Sequence, residues 1–197
     1  MRLDGPAVTG AAAELVRVLR PQVHGDWTVP AGPLQWSCRD TAVHVAHDLL
    51  AYAGQLAGRP TDGYLPFDLT VPDTAGPADV LRVVTACATL LATAVDTADP
   101  DVRAWHWGPC DPEGFAAMGV AEILLHTHDI TRGLGVPWRL PADASAAVLR
   151  RLFPDAPDGE AAAVLLWSTG RAPLGDRPRR TGWSWRAALD ADGPSTG

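Results

Sequence analysis

The sequence predicts an all-α protein built as a bundle of four main helices. Long apolar segments recur with helical spacing, and loops rich in Pro and Gly separate them. The chain contains 18 Pro and 19 Gly residues. No alternation of period two continues beyond a few residues, with 183–186 as the one short candidate strand. Apolar helices joined by long loops are typical of helix bundles.

The first two helices are bounded by clear start and stop signals. The first covers about residues 9–19 and ends before Pro21, which cannot continue a helix. The second covers about residues 37–58, with Ser37 as its N-cap and Asp40 three residues later. A loop rich in Pro and Asp follows it.

The remaining helices are separated by Pro/Gly-rich loops. The third covers about residues 77–97 and begins at Pro77, a favourable first-turn residue. The fourth covers about residues 114–134 and ends in a Gly-rich segment. Two shorter helices follow at about 142–153 and 158–169, the second with Asp158 as its N-cap and Gly170 as its stop. Residues 171–197 are rich in Arg, Pro and Gly and form a wrapped or loose tail.

Charge and cysteine content restrict the possible partners. The net charge of −7 disfavours nucleic acids and anionic lipids, so we expect no nucleic acid and no membrane partner. The N-terminus lacks the apolar core of a signal peptide, and the near-apolar run 83–95 is too short to span a bilayer. Because Cys38, Cys87 and Cys110 form no C-x-x-C pair, we expect reduced thiols in a cytoplasmic protein. Cys38 could have a pKa lowered by the start of the second helix, but a small buried residue is the simpler interpretation.

The fourth helix contains a candidate metal-binding pattern. Glu122 and His126 are four residues apart and therefore share one helix face, and Asp129 continues the same stripe. Glu is a rare choice in this chain, with four Glu against nineteen Asp. A carboxylate and an imidazole at this spacing can bind one divalent cation, as in metal-binding bundles. The same pattern is also common on solvated helix faces.

A third ligand would come from the second helix, which offers His44 and His47. His44 shares a stripe with Asp40 and Asp48, whereas His47 shares one with apolar residues. Periodicity alone does not choose between them. His128 is more simply a packed histidine, and His24 and His106 lie in loops. Tryptophans near the helix ends plug the bundle, and one or two of them could line a pocket; these are Trp27, Trp36, Trp105, Trp107 and Trp138.

Three segments together resemble a known superfamily. The stretch from Trp36 through Ser37 and Asp40 to His44 is followed by Glu122, His126 and Asp129, and later by Leu165-Leu-Trp-Ser-Thr-Gly-Arg171 and an Arg/Pro segment with Trp183. In this order the motifs resemble the DinB/YfiT-like superfamily, and within it the N-terminal domain of mycothiol-dependent maleylpyruvate isomerases.

The resemblance implies a DinB/YfiT-like four-helix bundle with long loops and a short C-terminal extension. Residues 1–170 would form the metal-binding domain, with His44, Glu122 and His126 as the ligands of one divalent metal. Zn fits this set best, and Ni or Mn would fit nearly as well. Asp129 would be the catalytic residue, either supporting a ligand or accepting a proton. Mycothiol, or a similar low-molecular-weight thiol, would be the second cofactor.

The implied activity is a mycothiol-dependent isomerase or S-transferase that acts on an electrophilic small molecule. The alternatives are a bundle that binds metal or ligand without turnover, and a metal-dependent hydrolase that uses the same three ligands. Maleylpyruvate isomerases of this type have a separate C-terminal domain that supplies a substrate-binding Arg, whereas this chain has a short tail. Five tail residues could take that role, namely Arg171, Arg177, Arg179, Arg180 and Arg186. The protein would be a monomer or a homodimer.

Overall fold

Four long helices dominate the computed structural model, which describes residues 1–189. They are α1 (Gly5–Leu19), α2 (Cys38–Gly58), α3 (Pro77–Thr97) and α4 (Pro112–Gly133). Two shorter helices follow, α5 (Ala142–Leu152) and α6 (Ala161–Ser168), and a single 3-10 turn covers Arg20–Gln22. The predicted all-α class is confirmed.

One of the two N-caps that the sequence predicted is confirmed, and α1 starts earlier than predicted. Ser37 caps α2 as predicted, because its side chain accepts a hydrogen bond from the backbone N–H of Asp40. By contrast, α1 begins four residues before its predicted start, since Asp4 accepts a hydrogen bond from the N–H of Ala7. The predicted Asp158 cap of α6 is wrong. Glu160 caps that helix instead, because Gly159 at φ +157° turns the chain between the two acidic residues.

The bundle is a ring in which α1 and α2 each pack against both α3 and α4. Helix α5 covers a further side of α4, and α6 packs on α5. Consequently α4 is enclosed on several sides, and of residues 114–131 only His128 is not buried. Polar side chains on α4 therefore lie inside the protein, where they need partners.

Helix α3 has 21 residues, and an 18-residue window within it has a mean hydropathy of 1.6, so by length and composition alone it could cross a membrane. Core helices of bundles meet the same criteria. Here Val80, Val84 and Leu91 are buried in the bundle core.

The loop between α3 and α4 differs from expectation, and the described part of the C-terminal tail takes one of its two expected forms. A two-stranded antiparallel hairpin, β1 (Ala104–Trp105) and β2 (Pro109–Cys110), lies in the predicted loop, and its strands are too short to produce a pattern of period two. The candidate strand at 183–186 is irregular backbone. The described part of the tail is wrapped rather than loose, since the N–H of Arg186 donates to the carbonyl of Leu152 and that of Leu189 donates to Pro109. Residues 190–197 of the predicted tail lie outside the described residues.

Candidate metal centre

The first turns of α2 position His44. Ser37 and Asp40 bond each other reciprocally at the N-cap, with the Ser37 hydroxyl donating to the Asp40 carboxylate at 2.7 Å. Cys38 is fully buried against α4, and its thiol lies 3.7 Å from the carbonyl oxygen of Ile130. The start of α2 is thereby held against α4, and His44 faces that helix two turns later.

Helix α4 supplies Glu122 and His126 from its enclosed middle. Glu122 is 8% exposed and His126 is 7% exposed. Their spacing of four residues stacks the two side chains on one face, as the sequence predicts, and the Nε2 atom of His126 lies 3.1 Å from Oε2 of Glu122.

The three side chains predicted as ligands meet at one point. Nε2 of His44 lies 3.8 Å from the same Glu122 oxygen, and the rings of His44 and His126 stand nearly perpendicular, with centroids 5.0 Å apart. One potential ligand atom from each of the three residues lies within 4.8 Å of the other two. Two imidazoles and a carboxylate are a donor set that divalent transition metals accept. The three residues could therefore hold a metal ion.

Electrostatics around the three residues favour a cation. Burial lowers the pKa of His44. Burial would also lower the pKa of His126, but Asp129 and Glu122 outweigh it and raise that pKa to about 9. Despite its burial, Glu122 has a lowered pKa because of the two histidines. Burial and the neighbouring Glu122 raise the pKa of Asp48, which contacts His44, to about 7.

Asp129 lies behind His126, on the side away from Glu122. Its Oδ2 atom is 3.0 Å from Nδ1 of His126, although the ring N–H does not point squarely at the oxygen. Arg171 donates hydrogen bonds to the same carboxylate. Its Nε lies 3.1 Å from both oxygens, and one terminal nitrogen lies 2.7 Å from Oδ2. Asp129 is completely buried, and the two charged neighbours hold its pKa below the ordinary value although burial would raise it.

The three ligand candidates line a cavity of about 690 Å³. Asp129 is not among the residues of its wall, which places it where it can orient His126 rather than touch a bound molecule. Trp36 packs against His44 with the ring centroids 4.8 Å apart and the ring planes tilted by 56°. The tail contributes most of the remaining polar and aromatic wall, with Arg171, Arg179, Arg180, Trp183 and Trp185.

A comparison with protein-family models places the chain in a family. The model of the mycothiol maleylpyruvate isomerase N-terminal domain matches residues 8–131. The chain belongs to this family. It is thereby a member of the DinB/YfiT-like superfamily, as the motifs predicted. No curated protein and no solved structure gives a significant match to the chain.

The family match includes the three ligand candidates and Asp129 but not the tail. The chain turns from α6 into the tail at Gly170, which has a φ of +66°. A Cβ atom at this position would lie 2.8 Å from the carbonyl oxygen of Arg180. Arg177 and Arg180 lie on the Trp167 ring, 5.5 and 5.3 Å from its centroid. These contacts fix the segment that forms the cavity wall.

Several other candidate residues from the sequence lie outside the three-residue cluster. His47 is not part of the three-residue cluster but contacts Asp48. Arg177 and Arg186 do not line the cavity that His44 and His126 share. Burial raises the pKa of Cys38 to about 11, which agrees with a small buried residue and not with a reactive thiol.

Two contributions to the site were missed by the sequence analysis. The pairing of Arg171 with Asp129 joins residues 42 positions apart, for which no local pattern exists. Helical spacing placed Asp48 on the same stripe as His44 but gave it no role in the site. In the structure its Oδ2 atom lies 3.3 Å from Nε2 of His44.

Proposed function

We propose that the protein is a metal-dependent enzyme that adds a low-molecular-weight thiol, mycothiol in this family, to an electrophilic small molecule. The outcome would be isomerisation by addition and elimination, or S-transfer. The observation that carries the proposal is the convergence of His44, Glu122 and His126 on one wall of a cavity large enough for a small molecule.

The charges around the cluster support a bound cation. Three carboxylates, those of Asp48, Glu122 and Asp129, surround the two imidazoles, whereas Arg171 is the one guanidinium that pairs with them in the described structure. Glu122 and Asp129 favour positive charge at His126, where they outweigh burial and raise the pKa of the imidazole to about 9. A divalent metal can take the place of that proton, so the residues present fit a metal held by His44, Glu122 and His126. Such a metal would lower the pKa of a bound thiol and hold it as a thiolate at neutral pH.

The protein's own residues would bind and orient the reactants. Asp129, clamped by Arg171, holds the His126 ring in a fixed position, and this makes Asp129 a positioning residue in our proposal. Arg179 and Arg180 line the cavity, and within residues 1–189 neither has a carboxylate partner. We therefore propose that the electrophile carries an anionic group that one of them binds.

Composition supports a proposal about the cellular setting of this activity. We propose a cytoplasmic protein, because three buried cysteines without a disulfide suit a reducing compartment. The acidic net charge of −7 favours a small-molecule substrate over nucleic acid. A monomer or a homodimer would serve this chemistry equally well.

The first experiment is metal analysis of the purified protein and of two histidine variants. We expect about one divalent metal per chain in the unchanged protein and in the control His24→Ala, because His24 is exposed and far from the cluster in sequence. His44→Ala should lose the metal. A metal-replete preparation of the unchanged protein that holds no metal would contradict both the thiol-dependent and the hydrolytic proposals.

The second experiment separates thiol chemistry from the alternatives. Mycothiol is titrated calorimetrically into the metal-loaded protein, and then electrophilic carboxylates are screened with mycothiol by mass spectrometry. Binding that disappears in His44→Ala, followed by an isomerised or S-conjugated product, supports the proposal. Metal loading without thiol binding would leave a hydrolase or a non-catalytic metal-binding bundle as the better description.

A further inference from the structure

Apart from the three ligand candidates, much of the wall of the cavity of about 690 Å³ is aromatic. Three indoles line it, Trp36 from the loop before α2 and Trp183 and Trp185 from the tail. Trp36 is 49% exposed and Trp183 is 40% exposed, so the chain itself does not cover their rings. Uncovered aromatic rings in the wall of a cavity are available to pack against a bound molecule.

Trp185 offers this cavity an apolar surface, because its single polar atom is bonded elsewhere. The indole N–H donates to Nε2 of His106 at 3.3 Å, and Nδ1 of that histidine bonds the hydroxyl of Tyr64. His106 is 7% exposed and is not among the residues of the cavity wall. Since an indole has no second polar group, Trp185 has no free hydrogen-bond donor for a ligand in the cavity. It can contact such a ligand only through its ring.

The charged groups of the same wall favour an anion. Arg179 and Arg180 line the cavity, and neither has a carboxylate partner among the described residues. Arg171 also lines it, but its guanidinium is bonded to Asp129. In the described part of the wall, Glu122 is the one carboxylate, and it belongs to the candidate metal centre. Two guanidiniums are thus available, and their planar geometry suits a carboxylate.

We propose that the electrophile of the proposed function, on which this inference rests, is a carboxylate attached to an apolar ring. Arg179 or Arg180 binds its carboxylate, and its ring packs against the indoles. A short dicarboxylate without a ring would leave the indoles without an apolar contact. An uncharged ring compound would leave both guanidiniums unpaired. A carboxylate that carries a ring uses both kinds of wall.

The test compares three unreactive probes by calorimetry. Phenylpropanoate has a ring and a carboxylate, phenylpropanamide has the ring without the charge, and succinate has carboxylates without a ring. Each is titrated into the protein supplied with zinc(II) and again after chelator treatment, because a carboxylate can also bind a metal directly. We expect phenylpropanoate to bind at least about fivefold more tightly than either other probe under both conditions. A smaller preference, or one that exists only with zinc(II), overturns the proposal.

Variants of the aromatic wall test where the ring binds. Trp185→Leu should weaken phenylpropanoate binding by about fivefold. The matched control is Trp138→Leu, because Trp138 is also a half-buried indole with a bonded N–H, which donates to Glu14 at 2.9 Å, and it does not line the cavity. The control should stay within about twofold of the unchanged protein. Equal losses in the two variants overturn the proposal. If Trp185→Leu does not fold by circular dichroism, Trp36→Leu takes its place with the same expectation.

Variants of the arginines test where the carboxylate binds. The double variant Arg179→Gln/Arg180→Gln should bind phenylpropanoate no more than about twofold more tightly than phenylpropanamide. Arg177→Gln is the control, because Arg177 lies on the Trp167 ring as Arg180 does but does not line the cavity. It should keep the full preference for the carboxylate. A preference that survives in the double variant overturns the proposal.

Failure of the substrate class and failure of the proposed function give different results. A protein that binds zinc(II) and mycothiol but prefers succinate overturns the ring-bearing carboxylate and leaves the proposed function standing. A protein that binds no metal and still prefers phenylpropanoate overturns the proposed function. In that case the cavity keeps its ligand class as a binding site without metal chemistry.

Discussion

Replacement of Arg171 by Leu tests whether the tail is part of the site. The Arg171 side chain is 9% exposed and Asp129 is fully buried, so the ion pair between them is removed from water. Leu keeps an apolar body and removes the guanidinium. Asp129 would then retain one charged neighbour, His126, at 3.0 Å.

The expected magnitude follows from the cost of a buried charge that has lost its partner. Three nitrogen–oxygen contacts between 2.7 and 3.1 Å disappear in Arg171→Leu. Breaking a buried pair by removing one partner costs about 3–5 kcal/mol of unfolding free energy. For a protein of 197 residues this corresponds to a fall in melting temperature of roughly 10 °C.

Urea unfolding of the chelator-treated protein measures this cost without a contribution from metal. The control is Arg186→Leu, because the pair of Arg186 with Asp155 is exposed, with 60% and 80% of the two side chains accessible. Its loss should cost no more than about 1 kcal/mol. The double variant Asp129→Leu/Arg171→Leu should recover part of the stability, since it buries no unpaired charge. If Arg171→Leu is no less stable than Arg186→Leu, the buried pair does not hold the tail.

Three further predictions concern other parts of the molecule. Burial lowers the pKa of His106 to about 4, so below about pH 6.5 the unfolded chain takes up a proton that the folded chain does not. The free energy of unfolding should therefore fall by up to about 3 kcal/mol between pH 6.5 and pH 4. In urea unfolding, His106→Gln should abolish this part of the pH dependence. Parallel curves for the two proteins would contradict it. Burial raises the pKa of Cys110 to about 12, so iodoacetamide should label it far more slowly in the native protein than in urea, and equal rates would refute this. Gly170→Ala should lose at least about 1 kcal/mol in thermal unfolding, because of the positive φ and the close carbonyl of Arg180, whereas Gly10→Ala, with open space around it, should be neutral or stabilising.

Local signals predicted the helices well wherever the signal and the helix end coincided. Pro77 at the first turn and the apolar spacing gave α3 the bounds that the structure shows. The start of α1 was placed too late, because the capping of Asp4 precedes the apolar spacing. At α6 both Asp158 and Glu160 could have capped the helix. The backbone conformation of Gly159 decides between them, and the spacing of apolar residues does not predict that conformation.

The site was predictable in proportion to how local its contacts are. Spacing on one helix face predicted that Glu122 and His126 would meet, and the structure places them 3.1 Å apart. The choice of His44 over His47 came from the family resemblance, because it depends on how α2 rotates against α4. The clamp of Arg171 on Asp129 depends on the path of the chain through α5 and α6, and helical periodicity contains no information about that path.

The candidate ligands and the cavity-lining arginines come from different parts of the chain, and this bears on substrate specificity. The candidate ligands and Asp129 lie within residues 8–131, which match the family, whereas Arg179 and Arg180 reach the same cavity from the tail. Substitutions in the tail therefore change the cavity wall without altering the donor set, except at Arg171, whose loss would also release Asp129. If the proposed function holds, proteins that share this bundle should keep the three candidate ligands and differ in the electrophile that they bind. Arg171 would be the tail residue whose substitution affects both the cavity wall and Asp129.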